Sequence, residues 1–480
     1  MKQGRFLTVQ FVILFFIAFT SAVVVFLYWK GLNGPFLLDD YVNLQPMVLL
    51  SQGKITLESF VFPSADWVSS RPLSLLSFVA SQYLSGLPFS FEDSNAFKFK
   101  VFNLSIHIAI FLVVFRFVYK LSLITVDKQN ALILSGLAAV LWVFSPMWVS
   151  TVLYVVQRMA QLSTLFCLLG CLLYLEARLR KYNLLAIVFT VTCIVLAVLS
   201  KQNGVLLVLL VGLIELYIYL YGSPQPWGKK NRFFSFLVMG FILFGLITAL
   251  SLVLFKSERF LNYDSYSFNL TERVFTELRV LCDYILSLML PFRGGSLFFD
   301  DFQVSKSLFQ PISTFISLIV LSIFFIVGIC ALFRKKTALL GFGILFFFLA
   351  HGLESTVIPL ELYFEHRNYL PAVGLYLALS SFICSSLLRN YRSLTWFLLL
   401  LYIGFNAYWL GIKGDTWSSR EKLFSKEEQS HTQSLRLNKT LATFYINNRQ
   451  MDKAGYYIER TVKIYPGAAM GATLHLASAF

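Results

Sequence analysis

Long apolar runs separated by short basic connections set the pattern of this 480-residue chain. Runs at residues 7–28, 101–120, 131–149, 156–177, 184–199, 205–221 and 233–255 approach the roughly twenty apolar residues needed to cross a bilayer. Four more follow at 312–332, 338–351, 370–388 and 394–410, so the pattern predicts about eleven transmembrane helices. Two further apolar stretches fit a different role. Residues 73–84 are too short to cross, and residues 274–290 carry Glu277, Arg279 and Asp283. Both are expected to lie as helices at the membrane interface. The first run follows Lys2 and Arg5, is too long for a signal-peptide core and lacks a small-residue cleavage site, so it reads as an uncleaved span.

The last stretch, from about residue 413, is polar and rich in helix formers. Leu441, Ala442, Tyr445, Ala454, Ile458 and Pro466 have the spacing of a 34-residue tetratricopeptide repeat. The expected organisation is a membrane domain over 1–412, with long external loops at 30–97 and 256–310, and an external helical tail over 413–480.

Composition agrees with an all-α polytopic membrane protein. The chain is 57% hydrophobic and 14% charged, more apolar than a soluble domain can bury. Its net charge of +15 would suggest nucleic acid in a soluble protein. Here the cations fall in connections: Arg116, Lys120 and Lys128; Arg178, Arg180 and Lys181; Lys229, Lys230 and Arg232; Arg334, Lys335 and Lys336; Arg389 and Arg392. With the N-terminus inside, every cluster lies on one side, as the positive-inside rule requires. The C-terminus is then outside, and no nucleic-acid partner is expected. The six cysteines show neither disulfide-framework nor metal-ligand spacing, so no metal site and no cofactor are expected.

The same topology gathers the unusual polar groups on the opposite side. Asp39-Asp40 and Arg71 come from the first loop, Arg158 from the start of the fourth span, and Lys201 from the turn after the fifth. Glu354, Glu361, Glu365, His366 and Arg367 come from the loop after the ninth. An adjacent pair of acids is ordinarily a solvated turn. Beside cations at headgroup depth it suits chemistry instead: a carboxylate to take a proton from an acceptor hydroxyl, and Arg and Lys to stabilise a departing phosphate. That set fits sugar transfer from a polyprenyl-phosphate donor.

Several motifs also resemble one family. Phe36-Leu-Leu-Asp39-Asp40-Tyr41, Arg71-Pro-Leu-Ser-Leu-Leu-Ser-Phe78 and Asn103-Leu-Ser-Ile-His107 are similar to those of the GT-C glycosyltransferases. They are closest in kind to the tetratricopeptide-containing protein O-mannosyltransferases and their bacterial relatives. Phe144-Ser-Pro-Met147, Gln157-Arg158, Leu199-Ser-Lys201-Gln-Asn-Gly204 and Tyr363-Phe-Glu365-His-Arg367-Asn-Tyr-Leu-Pro371 continue the likeness in order. The resemblance implies an inverting transferase in the bacterial inner membrane, with Asp39 or Asp40 as base and a slight lean to the first. Arg71, Arg158, Lys201, Glu365, His366 and Arg367 would bind donor phosphate or substrate. The acceptor would be a protein such as pilin, or a surface glycan. The chain departs from the family at Ser145-Pro146 and at Lys201-Gln202, where His-Pro and Lys-Glu are usual, so donor or acceptor is expected to differ from the mannosyl case. Two rival readings remain open from sequence: a flippase for lipid-linked saccharides, which needs neither aspartate, and a surface-glycan ligase or polymerase.

Overall fold

The computed structural model describes residues 2–63, 70–85, 89–222, 235, 238, 240, 262–264 and 266–464. Within them the chain is helical, with no strand beyond an isolated bridge between Ser307 and Gln310. Eight helices among the described residues are long and apolar enough to cross a membrane: Gln10–Leu32, Ser94–Ser122, Val155–Leu179, Asn183–Ser200, Gln202–Tyr221, Ser313–Leu332, Pro371–Asn390 and Arg392–Thr416. A ninth is formed if Lys128–Val143 and Pro146–Leu153, which meet at 45°, count as one broken span. The break falls at Pro146, which lacks the N–H needed to continue the helical ladder.

Two of the eleven expected spans are not among these. The helix Ala338–Ala350 has 13 residues, about 20 Å at 1.5 Å per residue, and falls short of a 30 Å core. Most of the run at 233–255 lies outside the described residues, as do the cluster Lys229, Lys230 and Arg232, and Pro466 of the repeat pattern.

The described residues of the first long loop are largely helical. Residues 39–51 form a helix with Asp39 and Asp40 in its first turn, where the positive end of the helix dipole favours them. Leu44 and Met47 pack its inner face. The short stretch at 73–84 is the helix Pro72–Ser85. The apolar middle of the second loop is the helix Leu270–Met289, opened by a capping box between Asn269 and Glu272. Its buried stripe mixes Val280, Tyr284 and Leu288 with Arg273 and Glu277.

An aromatic knot ties the spans together below the loops. Trp142 donates to the Tyr369 carbonyl at 3.1 Å, and the rings lie 4.9 Å apart. The Tyr369 hydroxyl meets His107 Nδ1 at 2.5 Å, and Trp148 sits edge-on to Tyr369 at 5.1 Å. His107 is therefore a packing residue. This knot fixes the segment just before Pro371, which carries Glu365, His366 and Arg367.

At the other end of the bundle a charge is buried. Arg178 and Glu215 are fully enclosed and meet at 2.5 Å, with Tyr174 donating a short hydrogen bond to the same carboxylate. Arg178 was expected to be one of the cytoplasmic loop cations. It instead lies inside the last turn of its helix, because Glu215 of a neighbouring span compensates it.

After Thr416 the tail continues as helices Arg420–Ser430, Leu435–Asn447 and Met451–Ile464. The last two pack as a pair, with Tyr445 and Tyr457 stacked at 5.5 Å. The tail docks on the second loop. Asp300 accepts from the backbone N–H of Arg436 at 2.9 Å, and Asp301 meets His431 at 2.9 Å.

Candidate functional site

The acidic pair stands where the Asp39–Ser51 helix begins. Neighbours in a helix point about 100° apart, so the two carboxylates diverge. The Asp40 side chain is fully buried and anchors backbone. One oxygen accepts from Leu37 N–H at 2.9 Å, the other from Val156 N–H at 2.7 Å. Burial pushes its carboxyl up to about 7, against the pull of those two bonds and of Lys100. Asp39 lines a cavity of about 280 Å³ instead. Its N–H donates to the Tyr154 hydroxyl at 2.7 Å, which fixes the first turn of the helix against the cavity wall.

Cations from three separate segments line the same cavity. Arg71 precedes Pro72 and adopts φ +52°, a left-handed conformation uncommon for a residue with a side chain. Its Nε donates to Gln202 Oε1 at 3.3 Å, and Nη1 reaches Met159 Sδ at 3.2 Å. Lys201, between two spans, pairs with Glu354 at 3.0 Å. Arg367 is buried, donates to the Leu362 carbonyl at 3.1 Å, and lies 4.0 Å from Glu277. His366 stacks on Phe364 with ring centroids 5.1 Å apart. Burial, reinforced by the charges of Lys201, Arg367 and Arg71, holds this imidazole well below its ordinary range, so it is neutral.

The acids of this wall are held in different states. Burial pushes the Glu354 carboxyl up, but Lys201 and Arg367 outweigh it and bring the group down to about 2. Burial dominates at Glu365 and raises it to about 7, although Lys413, Ser150 and Gly295 oppose it. Glu365 accepts from Ser150 Oγ at 2.9 Å and from Gly295 N–H at 2.6 Å. Gly294 and Gly295 both have positive φ, and a Cβ at Gly294 would stand 2.8 Å from the Glu365 oxygen, so the turn needs glycine there. The loop that carries Glu354 and Glu361 is braced from behind by Arg273. Its guanidinium donates to the Thr356 carbonyl at 3.0 Å and the Glu354 carbonyl at 2.7 Å.

Of the eight residues expected at the site, six therefore line one cavity: Asp39, Arg71, Lys201, Glu365, His366 and Arg367. Asp40 is adjacent but turned into the backbone. Arg158 is placed elsewhere. Its guanidinium sits over Phe78 at 4.6 Å and Phe102 at 4.5 Å, and donates to Asn103, Ser81 and the carbonyls of Ser77 and Phe99. Fully buried and held by these four acceptors, it clamps three helices and does not line the cavity.

Tyr154 and Arg436 are wall residues that the sequence does not mark. Tyr154 stands in an apolar stretch with no polar neighbour to mark it. Arg436 comes from the tail, pairs with Glu361 at 3.0 Å and sits 5.6 Å above the Phe364 ring. Among the described residues no group of three or more His, Cys, Asp or Glu side chains is placed to hold a metal ion.

The arrangement can accept a proton at Asp39 and stabilise an anion at Arg71, Lys201 and Arg367. It lies where several of the candidate spans end. Compared with family models, curated proteins and solved structures, the chain finds no match.

Proposed function

We propose that this protein is a GT-C-type inverting glycosyltransferase that moves a sugar from a polyprenyl-phosphate donor to a hydroxyl acceptor. The acceptor is a serine or threonine of a protein such as pilin, or a surface glycan. One observation supports the reading most: Asp39 shares a single cavity with Arg71, Lys201, His366 and Arg367. A carboxylate facing several cations at the ends of membrane spans matches a donor whose tail stays in lipid and whose phosphate stays at the interface.

In this reading the acceptor oxygen attacks the anomeric carbon as its proton passes to Asp39. The bond from that carbon to the phosphate oxygen breaks, and its electron pair leaves with the phosphate. Arg71, Lys201 and Arg367 carry the charge that develops there. Neutral His366 stands ready to hydrogen-bond the sugar or the phosphate. The N-terminus is cytoplasmic, and the cavity opens on the outer face of a bacterial inner membrane.

The decisive experiment supplies purified protein with radiolabelled polyprenyl-phosphate sugars and candidate acceptors, and compares wild type with Asp39→Asn. Transfer by wild type, with a loss of roughly 10²–10⁴-fold in the variant and donor binding retained, is expected. Near wild-type transfer by Asp39→Asn overturns the mechanism. Translocation of donor across vesicles without transfer, unaffected by the substitution, identifies a flippase instead.

A further inference from the structure

We propose that a second, basic cavity at the opposite end of the bundle binds the headgroup of an anionic phospholipid. This inference is independent of the glycosyltransferase reading. The cavity, about 810 Å³, lies between the start of the Lys128–Val143 helix, the turn after Leu332 and the Ser381–Trp396 segment. The helix Arg392–Thr416 separates it from the first cavity. Arg392 lines the basic cavity, while Trp417, just beyond the other end, donates to the Gly295 carbonyl beside Glu365. Twenty-five helical residues span about 37 Å, so the two cavities lie near opposite membrane faces.

Lys335, Lys336, Arg389 and Arg392 line this cavity, and among the described residues no carboxylate does. All four are exposed. Among the described residues the ion pairs at this end, Arg116–Glu176, Lys120–Glu176 and Arg178–Glu215, use other cations. Asp127, the neighbouring acid, is turned to its own helix, where it accepts from the N–H groups of Gln129 and Asn130 at 3.0 and 3.1 Å. Cations at the ends of spans are ordinary when scattered, since they answer the positive-inside rule. Here they converge on one concavity.

The walls match the rest of a phospholipid. Ile133, Leu339 and Trp396 give an apolar inner surface, and Asn130 and Ser385 supply hydrogen-bonding groups among the cations. Ser385 lies in the π-helical turn Ile383–Leu387, an expanded turn of the kind that often accompanies function. Trp396 and Tyr391 lie where the chain turns between two spans, the depth at which amphipathic rings anchor to headgroups. A mixed cavity of this kind takes a phosphodiester with its acyl chains still in the bilayer, whereas a soluble phosphate leaves the apolar wall unused.

The test uses the purified full chain in detergent, with dioleoylphosphatidylglycerol and dioleoylphosphatidylcholine as probes and native mass spectrometry as readout. Wild type is expected to retain phosphatidylglycerol selectively. Lys335→Gln, Lys336→Gln, Arg389→Gln and Arg392→Gln combined should lower that retention at least about tenfold. The combined control Lys128→Gln, Arg180→Gln, Lys181→Gln and Arg334→Gln removes the same charge from residues outside the cavity and should retain it. Equal losses in both variants indicate general attraction to basic surface and overturn the proposal. So does equal binding of the two lipids, or displacement by glycerol 1-phosphate at the concentration of the lipid. A photoactivatable phosphatidylglycerol on the unmodified protein provides a readout that needs no substitution. Crosslinks to peptides spanning Thr125–Leu134 or Ser381–Trp396 support the site, and crosslinks confined to other peptides refute it.

Discussion

Lys201 and Glu354 meet at 3.0 Å across the wall of the cavity that Asp39 lines, one from the junction of two spans and the other from a loop 153 residues further along the chain. Both are largely buried, so each carries a charge the other must balance. Breaking such a pair from one side leaves an isolated charge and typically costs about 3–5 kcal/mol. Lys201→Met should therefore destabilise the protein by an amount near that range, and Lys201→Met with Glu354→Leu by clearly less. Thermal unfolding in detergent reads the difference. The pair also has an acid limit. Glu354 is depressed from 4.5 to about 2, so its contribution is complete above pH 4.5 and is lost as the pH falls toward 2.

Asp39 and Asp40 should separate by readout. Asp40→Asn places an amide where two buried N–H groups need acceptors, and its NH₂ cannot accept. An unsatisfied buried donor costs about 1–3 kcal/mol, so this variant should lose stability in that range. Asp39→Asn should keep its melting temperature and lose transfer. A melting curve beside a turnover assay distinguishes them.

At Arg367 the geometry of the charge matters. Arg367→Ala should weaken polyprenyl-phosphate binding about tenfold or more while the fold persists. Arg367→Lys should recover little, because an ammonium is a point charge without the planar fork of a guanidinium. Equilibrium binding of a labelled donor measures both. Unchanged affinity in Arg367→Ala removes the residue from the phosphate site.

Glu365 predicts a pH dependence of the opposite sign to Glu354. Its folded carboxyl is raised from 4.5 to about 7, so the folded state holds a proton that the unfolded chain has released across that window. Stability should fall as pH rises from 4.5 to 7, by at most about 1.4 kcal/mol per pH unit for one group. Asp40 and Glu427, raised for the same reason, add to the trend. Glu365→Gln cannot ionise and should flatten the slope, as read from melting temperatures at pH 5, 6 and 7.

Topology offers a test of orientation. With the cytoplasmic N-terminus proposed here, alkaline phosphatase fused after residue 480 should be active, and a fluorescent protein that folds only in the cytoplasm should stay dark. The reverse pattern puts the Asp39 cavity on the cytoplasmic face.

What the sequence disclosed was mostly one-dimensional. Long apolar runs mark helices without regard to their neighbours, so Ser94–Ser122, Val155–Leu179 and Ser313–Leu332 appear where the hydropathy places them. Helix ends near one face are equally legible, and that is why Asp39, Lys201 and Arg367 lie together. What surrounds a charge is not legible. Arg158 and Arg178 look like interface cations, yet one is enclosed by Phe78, Phe99 and Phe102 and the other by Glu215 and Tyr174. Arg436 was unreadable for a related reason: nothing local tells a tail residue that it returns to Glu361, 75 positions earlier. The helix at Asp39–Ser51 depends on contacts that a periodicity cannot show, whereas the bend at Pro146 follows from the proline itself.

The Arg178–Glu215 pair has a bearing on biogenesis. Each residue belongs to a different span, and a charged side chain in the middle of a lone helix opposes entry into lipid by about 2.5–3.5 kcal/mol. Glu215 sits within its helix, while Arg178 lies in the last turn of another, separated from it by the span Asn183–Ser200. The ribosome delivers Arg178 first, and the translocon then receives Glu215 on a segment that lipid alone resists. These three spans should therefore insert as a unit, settled in the bilayer only once the third has found the first.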